Sequence, residues 1–370
     1  MRDVGRHASA EPGTSRPGGE SVALNWIVGK SDLILVTGAN GFVGSKVVEI
    51  LLDYGFTNIR CFVRSENNLQ TLKTLGDSRG AHLDLCQGNL LSRDDCVRGV
   101  RGASLIIHLA AGTGKSFAGC FMNSAVATRN LLDAARQVTH LKRFLSVSSL
   151  SVYSGAALRP GELVSESSPI ETEHMARFDP YCFGKIKQDE LVMTYGRDYG
   201  VPYAIVRPGV VYGPGKRAIP GRVGIDTFGI FLHLGGANRL PIIFVDNCAE
   251  AVVLAAVVEG VDSEVFVAVD DELPRSRDFL RLFKRNVRRF PSVCIPYGMF
   301  YALNWAWERY SIRSEGQLPP VFNRRICAAY YQRQRYTNQK LKDLTGWKPR
   351  VPFEQASSRY FEFMRQGERK

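Results

Sequence analysis

The chain has no Cys-x-x-Cys pair and no cluster of cysteine and histidine at metal-ligand spacing, although its 370 residues include 8 cysteines and 6 histidines. The sequence therefore predicts no metal site and no disulfide framework. Scattered thiols of this kind are typical of a reducing compartment, so we predict a cytoplasmic protein.

A long hydrophobic run is also missing near the start of the chain. Residues 1–30 are rich in glycine, serine, proline and charge, and they lack the continuous apolar core of a secretory signal or a membrane anchor. We predict that this stretch is a disordered tail.

Acidic residues are outnumbered, with 36 Asp and Glu against 48 Lys and Arg, which gives a formal net charge of +12. A basic chain favours nucleic acid as a partner, but no recognised nucleic-acid-binding motif is present. A basic enzyme with an anionic cofactor explains the charge equally well, so we predict no specific nucleic-acid partner. The hydrophobic fraction of 45% is sufficient for one large domain with an attached lobe or for two modest domains.

Short apolar, β-branched runs alternate with amphipathic stretches from Leu33 onward. Such alternation is typical of βαβ units, and the lack of polar alternation within the runs indicates parallel strands that are buried on both faces. We therefore predict an α/β fold with a doubly wound parallel sheet, a Rossmann fold. The predicted strands are 33–36, 58–63, 82–87, 104–109, 143–148 and 203–207, and the predicted helices between them include 43–54, 123–136 and 181–197.

The first predicted strand runs into a glycine-rich loop that opens a helix, which is where a dinucleotide site belongs in this fold. Gly38 permits the tight turn, Gly41 lets backbone N–H groups approach a pyrophosphate, and Gly44 allows the helix to pack closely on the strand. The alternative is a plain βα loop. The cofactor-binding residues predicted here are Gly38, Asn40, Gly41, Phe42, Val43 and Gly44.

Arg64 stands at the end of the second strand, about 20 residues past the loop, where an Asp or Glu would bind the ribose diol of NAD. A guanidinium pairs with the 2′-phosphate of NADP, so the sequence favours NADP(H) over NAD(H). Two alternatives stay open. Glu66 could reach a ribose hydroxyl, or Arg64 is an ordinary solvated arginine.

Tyr181 and Lys185 are four residues apart, so a helix places the phenol and the ammonium on one face about one turn apart. The charge of Lys185 would stabilise a phenolate, and Tyr181 could then exchange a proton with a substrate oxygen while hydride moves to or from a nicotinamide. Ser149 follows a predicted strand at the sheet edge where ligands bind, and its hydroxyl could orient that oxygen. The alternatives are a surface helix and a serine that caps a turn.

Five segments occur in the order found in the extended short-chain dehydrogenase/reductases, the NAD-dependent epimerase/dehydratase family. The chain resembles this family from residue 31 to about residue 350. The segments are Thr37 to Gly44, His108 to Ala111, Ser148-Ser149 with Val152-Tyr153, Tyr181 to Lys185, and Arg207 to Pro214.

The resemblance implies roles for individual residues. Ser149, Tyr181 and Lys185 would carry the chemistry, and Asn123 would support the active-site helix and the lysine. From the residues alone, Asn123 is equally a helix cap. Further cofactor-binding residues that the resemblance implies are Leu109, Ala110, Ala111, Pro208, Val210, Leu90 and Asn89, the last at a position where the family more often has Asp. Residues 31–207 would then form an NAD(P)-binding domain, and residues 208–370 mainly a smaller substrate-binding lobe interleaved with the sheet.

The two residues after Ser149 are Leu150 and Ser151. Family members that dehydrate nucleotide sugars are similar to one another in having adjacent acidic residues at these positions. A nucleotide-sugar 4,6-dehydratase is therefore disfavoured. Residues 240–251 look closer to the 3β-hydroxysteroid dehydrogenase/reductase branch than to sugar epimerases. We predict an oxidoreductase that interconverts an alcohol and a ketone; the alternatives are a nucleotide-sugar epimerase with tightly bound NAD and a non-catalytic, cofactor-binding regulatory protein.

Residues 275–289 predict a helix with arginines opposite phenylalanines, and residues 295–310 are aromatic but too short to span a bilayer. The aromatic segment could rest on the inner membrane face, line an apolar substrate cleft, or form a buried core helix beside a solvated basic face. The stretch 158–179, long for the family, is either a substrate lid or a surface loop. The resemblance also implies a homodimer that pairs through two long helices.

Overall fold

The structure is a computed structural model that describes residues 25–65, 69–81, 83–114, 116–315 and 317–368. Within these residues the strands are β1 (Ile34–Thr37), β2 (Ile59–Val63), β3 (Leu83–Gln87), β4 (Leu105–His108), β5 (Arg143–Val147), β6 (Leu163–Val164), β7 (Tyr203–Pro208), β8 (Val210–Tyr212), β9 (Gly224–Thr227), β10 (Ile230–His233), β11 (Ile242–Phe244), β12 (Glu264–Ala268), β13 (Ser292–Cys294) and β14 (Arg335–Tyr336). The helices are α1 (Gly44–Asp53), α2 (Leu69–Ser78), α3 (Arg93–Val100), α4 (Phe117–Cys120), α5 (Ala127–Ala135), α6 (His174–Arg177), α7 (Pro180–Tyr199), α8 (Val245–Val257), α9 (Ser276–Asn286), α10 (Tyr297–Arg313), α11 (Arg324–Tyr331), α12 (Gln339–Thr345) and α13 (Phe353–Glu368).

Seven of the strands form one parallel sheet in the order β12-β7-β5-β4-β1-β2-β3. The central strands β1, β4 and β5 are buried along their whole length, because helices cover both faces of the sheet. Val47 of α1 and Val252 of α8 pack on one face, and Leu131 of α5 and Val192 of α7 pack on the other. This arrangement confirms the predicted doubly wound α/β fold.

The six predicted strands agree with the observed ones to within one residue at each end, although His82 lies outside the described residues. The observed helix differs from the predicted helix 123–136. The observed helix begins with a π-helical segment, Phe121–Val126, which continues into α5. The sheet also takes β12 from the C-terminal part of the chain, so residues 208–370 contribute to it.

A second core lies mainly among the elements that follow β7, and the segment after β5 and the start of α7 also contribute to it. Its largest buried side chains are aromatic and meet edge to face or tilted, as Tyr212 does with Phe244 and Phe279. The stretch 158–179 is anchored to this part of the chain, because β6 pairs with β14 and the carbonyl oxygen of Arg177 accepts a hydrogen bond from Asn323. This stretch is therefore tied into the lobe rather than free at the surface.

The basic segment and the aromatic segment, helices α9 and α10, differ in which side chains they bury. In α9, Phe279 and Phe283 are buried while the arginines are exposed, which confirms the basic amphipathic helix. In α10 the buried side chains are Asn304 and Ser311, and most of the large apolar side chains are exposed. A buried core helix is therefore the wrong interpretation of the aromatic segment.

None of the described helices combines the length and the apolar character needed to cross a bilayer. Within the same part of the chain, His, Cys, Asp and Glu side chains form no group of three or more that could hold a metal ion. The eight cysteines are free.

Candidate functional site

The glycine-rich loop makes a tight turn between β1 and α1. Gly38 has a φ of +68°, the left-handed region that favours glycine. A Cβ on Gly44 would lie 2.1 Å from the carbonyl oxygen of Gly38, so the first turn of α1 is pressed against the end of the strand. The N–H of Gly41 donates to Gly38 O at 3.0 Å. Because this donor is used inside the turn, the N–H groups that follow it at the start of α1 are the ones placed for an anion.

A cavity of about 330 Å³ opens beside this loop, at the carboxyl ends of β1, β2, β3 and β4. Ligands of open α/β sheets bind at this edge. Most of the predicted cofactor-binding residues line this first cavity, namely Gly38, Asn40, Gly41, Arg64, Asn89, Leu90, Leu109, Ala110 and Ala111, together with Asn123.

Arg64 and Asn123 join two walls of the first cavity. Arg64 NH1 donates to Oδ1 of Asn123 at 3.2 Å, and Nδ2 of Asn123 donates to Gly119 O at 2.9 Å. The described residues contain no hydrogen bond between Asn123 and Lys185. Asn123 therefore makes no direct hydrogen bond to the lysine, because both ends of its amide are engaged elsewhere, and its support of the active-site helix and the lysine stays a prediction. Glu66, the alternative ribose ligand, lies outside the described residues.

A second cavity of about 440 Å³ continues along the same loop, which contributes Phe42 and Val43 to its wall. The loop thus lines two successive cavities, as an extended dinucleotide requires. The other predicted residues that line the second cavity are Ser149, Tyr181, Pro208 and Val210.

Ser149 follows β5, Tyr181 lies in the first turn of α7, and both side chains line the second cavity. Burial raises the pKa of Tyr181 to about 12, and the neighbouring hydroxyl of Ser149 acts in the opposite direction. The phenol is therefore protonated at neutral pH in this structure. The stabilisation of a phenolate by Lys185 stays a prediction.

Lys185 is buried one turn further along α7 and lines neither cavity. Its Nζ donates to Val147 O at 2.7 Å and to Oε1 of Gln188 at 2.9 Å, and Nε2 of Gln188 donates to Oγ of Ser146 at 3.0 Å. Burial lowers the pKa of Lys185 to about 8, while the carboxylate of Asp189 raises it. Lys185 thus lies one helical turn after Tyr181 in a dry, hydrogen-bonded pocket.

The start of α7 is determined by Asp179 and Pro180. Oδ1 of Asp179 accepts a hydrogen bond from the N–H of Cys182 at 3.0 Å, and Pro180 occupies the first helical position, where its missing N–H costs nothing. Arg177 pairs with Oδ2 of Asp179 at 3.0 Å, with the two side chains 0% and 7% exposed. This buried pair holds the N-terminus of the helix, and with it Tyr181, at the second cavity.

The residues that line the second cavity and that sequence reasoning missed include three large polar side chains, Lys216, Arg222 and Tyr330. Arg222 donates to Ala329 O at 2.8 Å, and its guanidinium lies 5.3 Å from the centre of the Tyr330 ring. Lys216 stands two residues after the last of the five motifs, so its position in the sequence could have indicated that it lies at the site. Arg222 and Tyr330 stand in irregular parts of the sequence far from each other, and no local pattern could bring them together.

The described residues fit a nicotinamide dinucleotide. The positions of Gly38 and Gly44 form a cradle that a Cβ would fill, and the start of α1 offers unpaired N–H groups to a pyrophosphate. The first cavity would hold the adenosine half, and the residues Pro208 and Val210 would border the nicotinamide in the second cavity.

Comparison with known sequences gives relatives of several activities. A trifunctional UDP-glucose 4,6-dehydratase, UDP-4-keto-6-deoxy-D-glucose 3,5-epimerase and UDP-4-keto-L-rhamnose reductase of Arabidopsis thaliana is 29% identical over 234 residues, which are 59% of this chain and 34% of that protein. The chain thus spans about a third of the length of this relative. A 3beta-hydroxysteroid dehydrogenase/decarboxylase of the same plant is 24% identical over 348 residues, which are 88% of this chain and 78% of that protein.

Among solved structures, the UDP-glucuronic acid 4-epimerase from Bacillus cereus in complex with NAD has a TM-score of 0.65 at 19% identity, and the match covers 90% of this chain and 99% of that one. This likeness shows a shared fold. The model of the NAD dependent epimerase/dehydratase family matches residues 34–268, which include the glycine-rich loop, Ser149, Tyr181 and Lys185. Because this match covers more than half of the chain, the protein belongs to the NAD-dependent epimerase/dehydratase family, as the order of its five motifs predicts.

Proposed function

We propose that the protein is an NAD(P)-dependent oxidoreductase that interconverts an alcohol and a ketone by hydride transfer. One observation carries this proposal. The hydroxyl-bearing side chains of Ser149 and Tyr181 line the same cavity as Phe42 and Val43 of the dinucleotide loop. A substrate oxygen held by these hydroxyls would therefore lie next to a bound nicotinamide.

The proposed chemistry assigns a separate task to each side chain. When bound, the dinucleotide accepts or supplies the hydride. In the oxidation direction, the Tyr181 phenolate takes the proton of the substrate hydroxyl while hydride leaves the carbon with its electron pair, and a carbonyl forms; in the reduction direction, Tyr181 returns the proton to the carbonyl oxygen. Ser149 orients that oxygen, and the nearby charge of Lys185 favours the phenolate.

NADP(H) is the cofactor that we propose over NAD(H). Arg64 lines the first cavity and is held there by Asn123. Among the described residues, no acidic side chain lines this cavity, so none of them supplies the carboxylate that binds the ribose diol in NAD sites of this fold. A guanidinium at this position favours a 2′-phosphate.

The test is turnover of a panel of ketones and alcohols with NADPH or NADP⁺. We expect Tyr181→Phe to lower the rate by about 10²-fold or more, because the proton donor is lost, while cofactor binding is retained. Tyr199→Phe, a change at an exposed position of the same helix, is the matched control and should leave the rate unchanged. A Tyr181→Phe protein that binds cofactor and retains full activity would contradict the catalytic assignment; if no substrate responds, a regulatory role is favoured.

The second candidate is a nucleotide-sugar epimerase that oxidises its substrate only transiently. The cationic side chains of Lys216 and Arg222 line the second cavity, and they favour a substrate with an acidic or phosphate group over a neutral alcohol. An epimerase regenerates its cofactor in each cycle and can retain it, whereas a net oxidoreductase must exchange it. Denaturing the purified protein and identifying any released nicotinamide separates the two. Stoichiometric NAD supports the epimerase and contradicts the preference for NADP(H).

The homodimer and the cytoplasmic location stay predictions. Phe121 and Met122 are 39% and 42% exposed on the π-helical segment, and pairing through the long helices would cover such side chains. Sedimentation of the purified protein tests the dimer, and fractionation of source cells tests the location.

A further inference from the structure

Helix α10 has an inverted pattern of burial. Its two buried side chains are polar, and both are bonded locally: Nδ2 of Asn304 donates to Phe300 O at 2.7 Å, and Oγ of Ser311 donates to Leu318 O at 2.6 Å. A surface helix of a globular protein normally turns its apolar stripe inward. Here the large apolar side chains point outward, with exposed fractions of 51% for Met299, 54% for Leu303, 46% for Trp305, 61% for Tyr310 and 68% for Ile312.

The loop after α10 extends the same apolar surface. Val321 and Phe322 are each 41% exposed, and the Phe322 ring lies 6.1 Å from that of Trp307, edge to face. We refer to this surface as the α10 face; it consists of Met299, Tyr301, Leu303, Trp305, Tyr310, Ile312, Val321 and Phe322. Leu303 and Trp305 are two positions apart, so the exposed apolar side chains cover both flanks of the outer side of α10. Many large exposed apolar side chains on one helix are typical of an interaction site.

The charges on α10 itself are cationic where they are exposed. Arg309 and Arg313 are both exposed, and the Arg309 guanidinium lies 5.8 Å from the centre of the Trp305 ring. The one acidic residue of the helix, Glu308, is paired with Arg324 at 2.9 Å. An anionic partner would therefore be attracted to the same surface that presents the aromatic side chains.

We propose that the α10 face docks on the surface of an anionic phospholipid bilayer, with the helix lying in the headgroup region. Tryptophan and tyrosine favour this region, the aliphatic side chains enter the boundary with the acyl chains, and arginines reach the phosphates. A second copy of this chain is disfavoured as the partner. A symmetric contact would bring Arg309 and Arg313 of both copies together, and the exposed Glu315 just after the helix offsets only part of this charge.

Docking would bring the candidate active site close to the bilayer. Phe300, on the inner side of α10, contacts Tyr331 of α11 edge to face with ring centres 5.5 Å apart. The adjacent residue, Tyr330, lines the second cavity together with Tyr181. One helix therefore separates the docked surface from the cavity wall. The docking inference does not depend on the proposed function, because it concerns a surface outside both cavities.

The test is flotation of the purified full chain with vesicles of phosphatidylcholine alone and of phosphatidylcholine mixed with phosphatidylglycerol. We expect binding to the anionic vesicles that weakens as salt is raised, because salt screens the arginines. Leu303→Glu and Arg309→Glu should each weaken binding by about tenfold or more, since one charge near a membrane surface already changes the affinity severalfold. Brominated lipid should quench the tryptophan fluorescence of the bound protein, and Trp305→Phe should reduce this quenching while the protein still floats.

Leu344→Glu, at a position of α12 that is 41% exposed, is the matched control and should bind vesicles like the unaltered chain. Melting temperature and NADPH binding show whether each variant is folded. Three results would overturn the proposal: no binding to anionic vesicles, equal binding by the folded Leu303→Glu and Arg309→Glu proteins, or a dimer in solution that Leu303→Glu dissociates. The last result would assign the face to a second copy.

Discussion

Nζ of Lys185 donates a hydrogen bond to Oε1 of Gln188 at 2.9 Å, within one turn of α7. Nε2 of the same glutamine donates to Oγ of Ser146 on β5, so its amide is oriented with the oxygen towards the lysine. An acceptor in this position stabilises the ammonium form. Burial lowers the pKa of Lys185 to about 8, so the ammonium predominates at neutral pH and is lost as the pH rises past that value. Gln188 is therefore a positioning residue for the charge behind Tyr181.

The first prediction concerns the pH dependence of turnover. Gln188→Leu removes the acceptor, lowers the pKa of Lys185 further, and should shift the alkaline limb of kcat/KM to lower pH. Gln188→Glu places a carboxylate beside the ammonium, raises its pKa, and should shift the same limb to higher pH. The measurement is the pH profile of both variants with a responsive substrate. A loss of rate without these opposite shifts would mean that Gln188 has only a packing role.

The second prediction concerns cofactor choice. Arg64→Leu should weaken NADPH binding by about 10- to 100-fold, because a charge-assisted contact to the 2′-phosphate is lost, and should change NADH binding little. Titration of the quenching of protein fluorescence measures both affinities. Arg79→Leu, which alters an exposed arginine paired with Asp53, is the control. An equal loss of both cofactors would show that Arg64 supports the loop rather than selecting the phosphate.

The third prediction concerns the glycine cradle. Gly44→Ala would place a Cβ 2.1 Å from Gly38 O, so the loop must move and dinucleotide binding should be lost for NADPH and NADH alike. The matched control is Gly298→Ala in α10, where a Cβ would meet nothing within 4 Å. That change should leave cofactor binding intact and stabilise the helix by about 0.5 to 1 kcal/mol. Normal cofactor affinity in a folded Gly44→Ala protein would show that the loop is not the pyrophosphate site.

The fourth prediction concerns the buried ion pair at the start of α7. Asp179→Asn keeps an oxygen for the N–H of Cys182 but removes the charge that faces Arg177. We expect a loss of about 3 to 5 kcal/mol in the free energy of unfolding, because the guanidinium stays buried without its partner. Urea unfolding followed by circular dichroism measures this. Asp198→Asn, which breaks an exposed pair with Arg197, should leave the unfolding midpoint unchanged. Equal midpoints for both variants would contradict a structural role of the buried pair.

Much of the nucleotide-binding half was predictable from the sequence. The strands were predictable because a parallel strand buried on both faces is a continuous apolar run, and the loop because its spacing of glycines follows a strand and opens a helix. Ser149 was placed at the ligand-binding edge because it follows a parallel strand, and the family resemblance added Tyr181 to the same site; both line the second cavity. The order of the five motifs then identified the family.

The contacts that decide the electrostatics of the site were not predictable. Asn123 was expected near Lys185, but the π-helical segment places its amide on Arg64 instead. Gln188 reaches Lys185 only because α7 packs against β5, which brings Ser146 to the other end of its amide. The sequence left open whether the aromatic residues 295–310 line a cleft, rest on a membrane or form a buried helix. Only the packing of α10 shows that most of them are exposed.

The sequence by itself determined the order of the strands and helices along the chain, the dinucleotide loop and the spacing of Tyr181 and Lys185, because each is encoded by residues close to one another. Only the tertiary structure decided what surrounds these residues. Arg222 and Tyr330 meet at the second cavity from distant parts of the chain, and α10 turns Trp305 outward because Asn304 and Ser311 take the inner positions. Packing between distant segments sets these neighbours, and no local pattern records it.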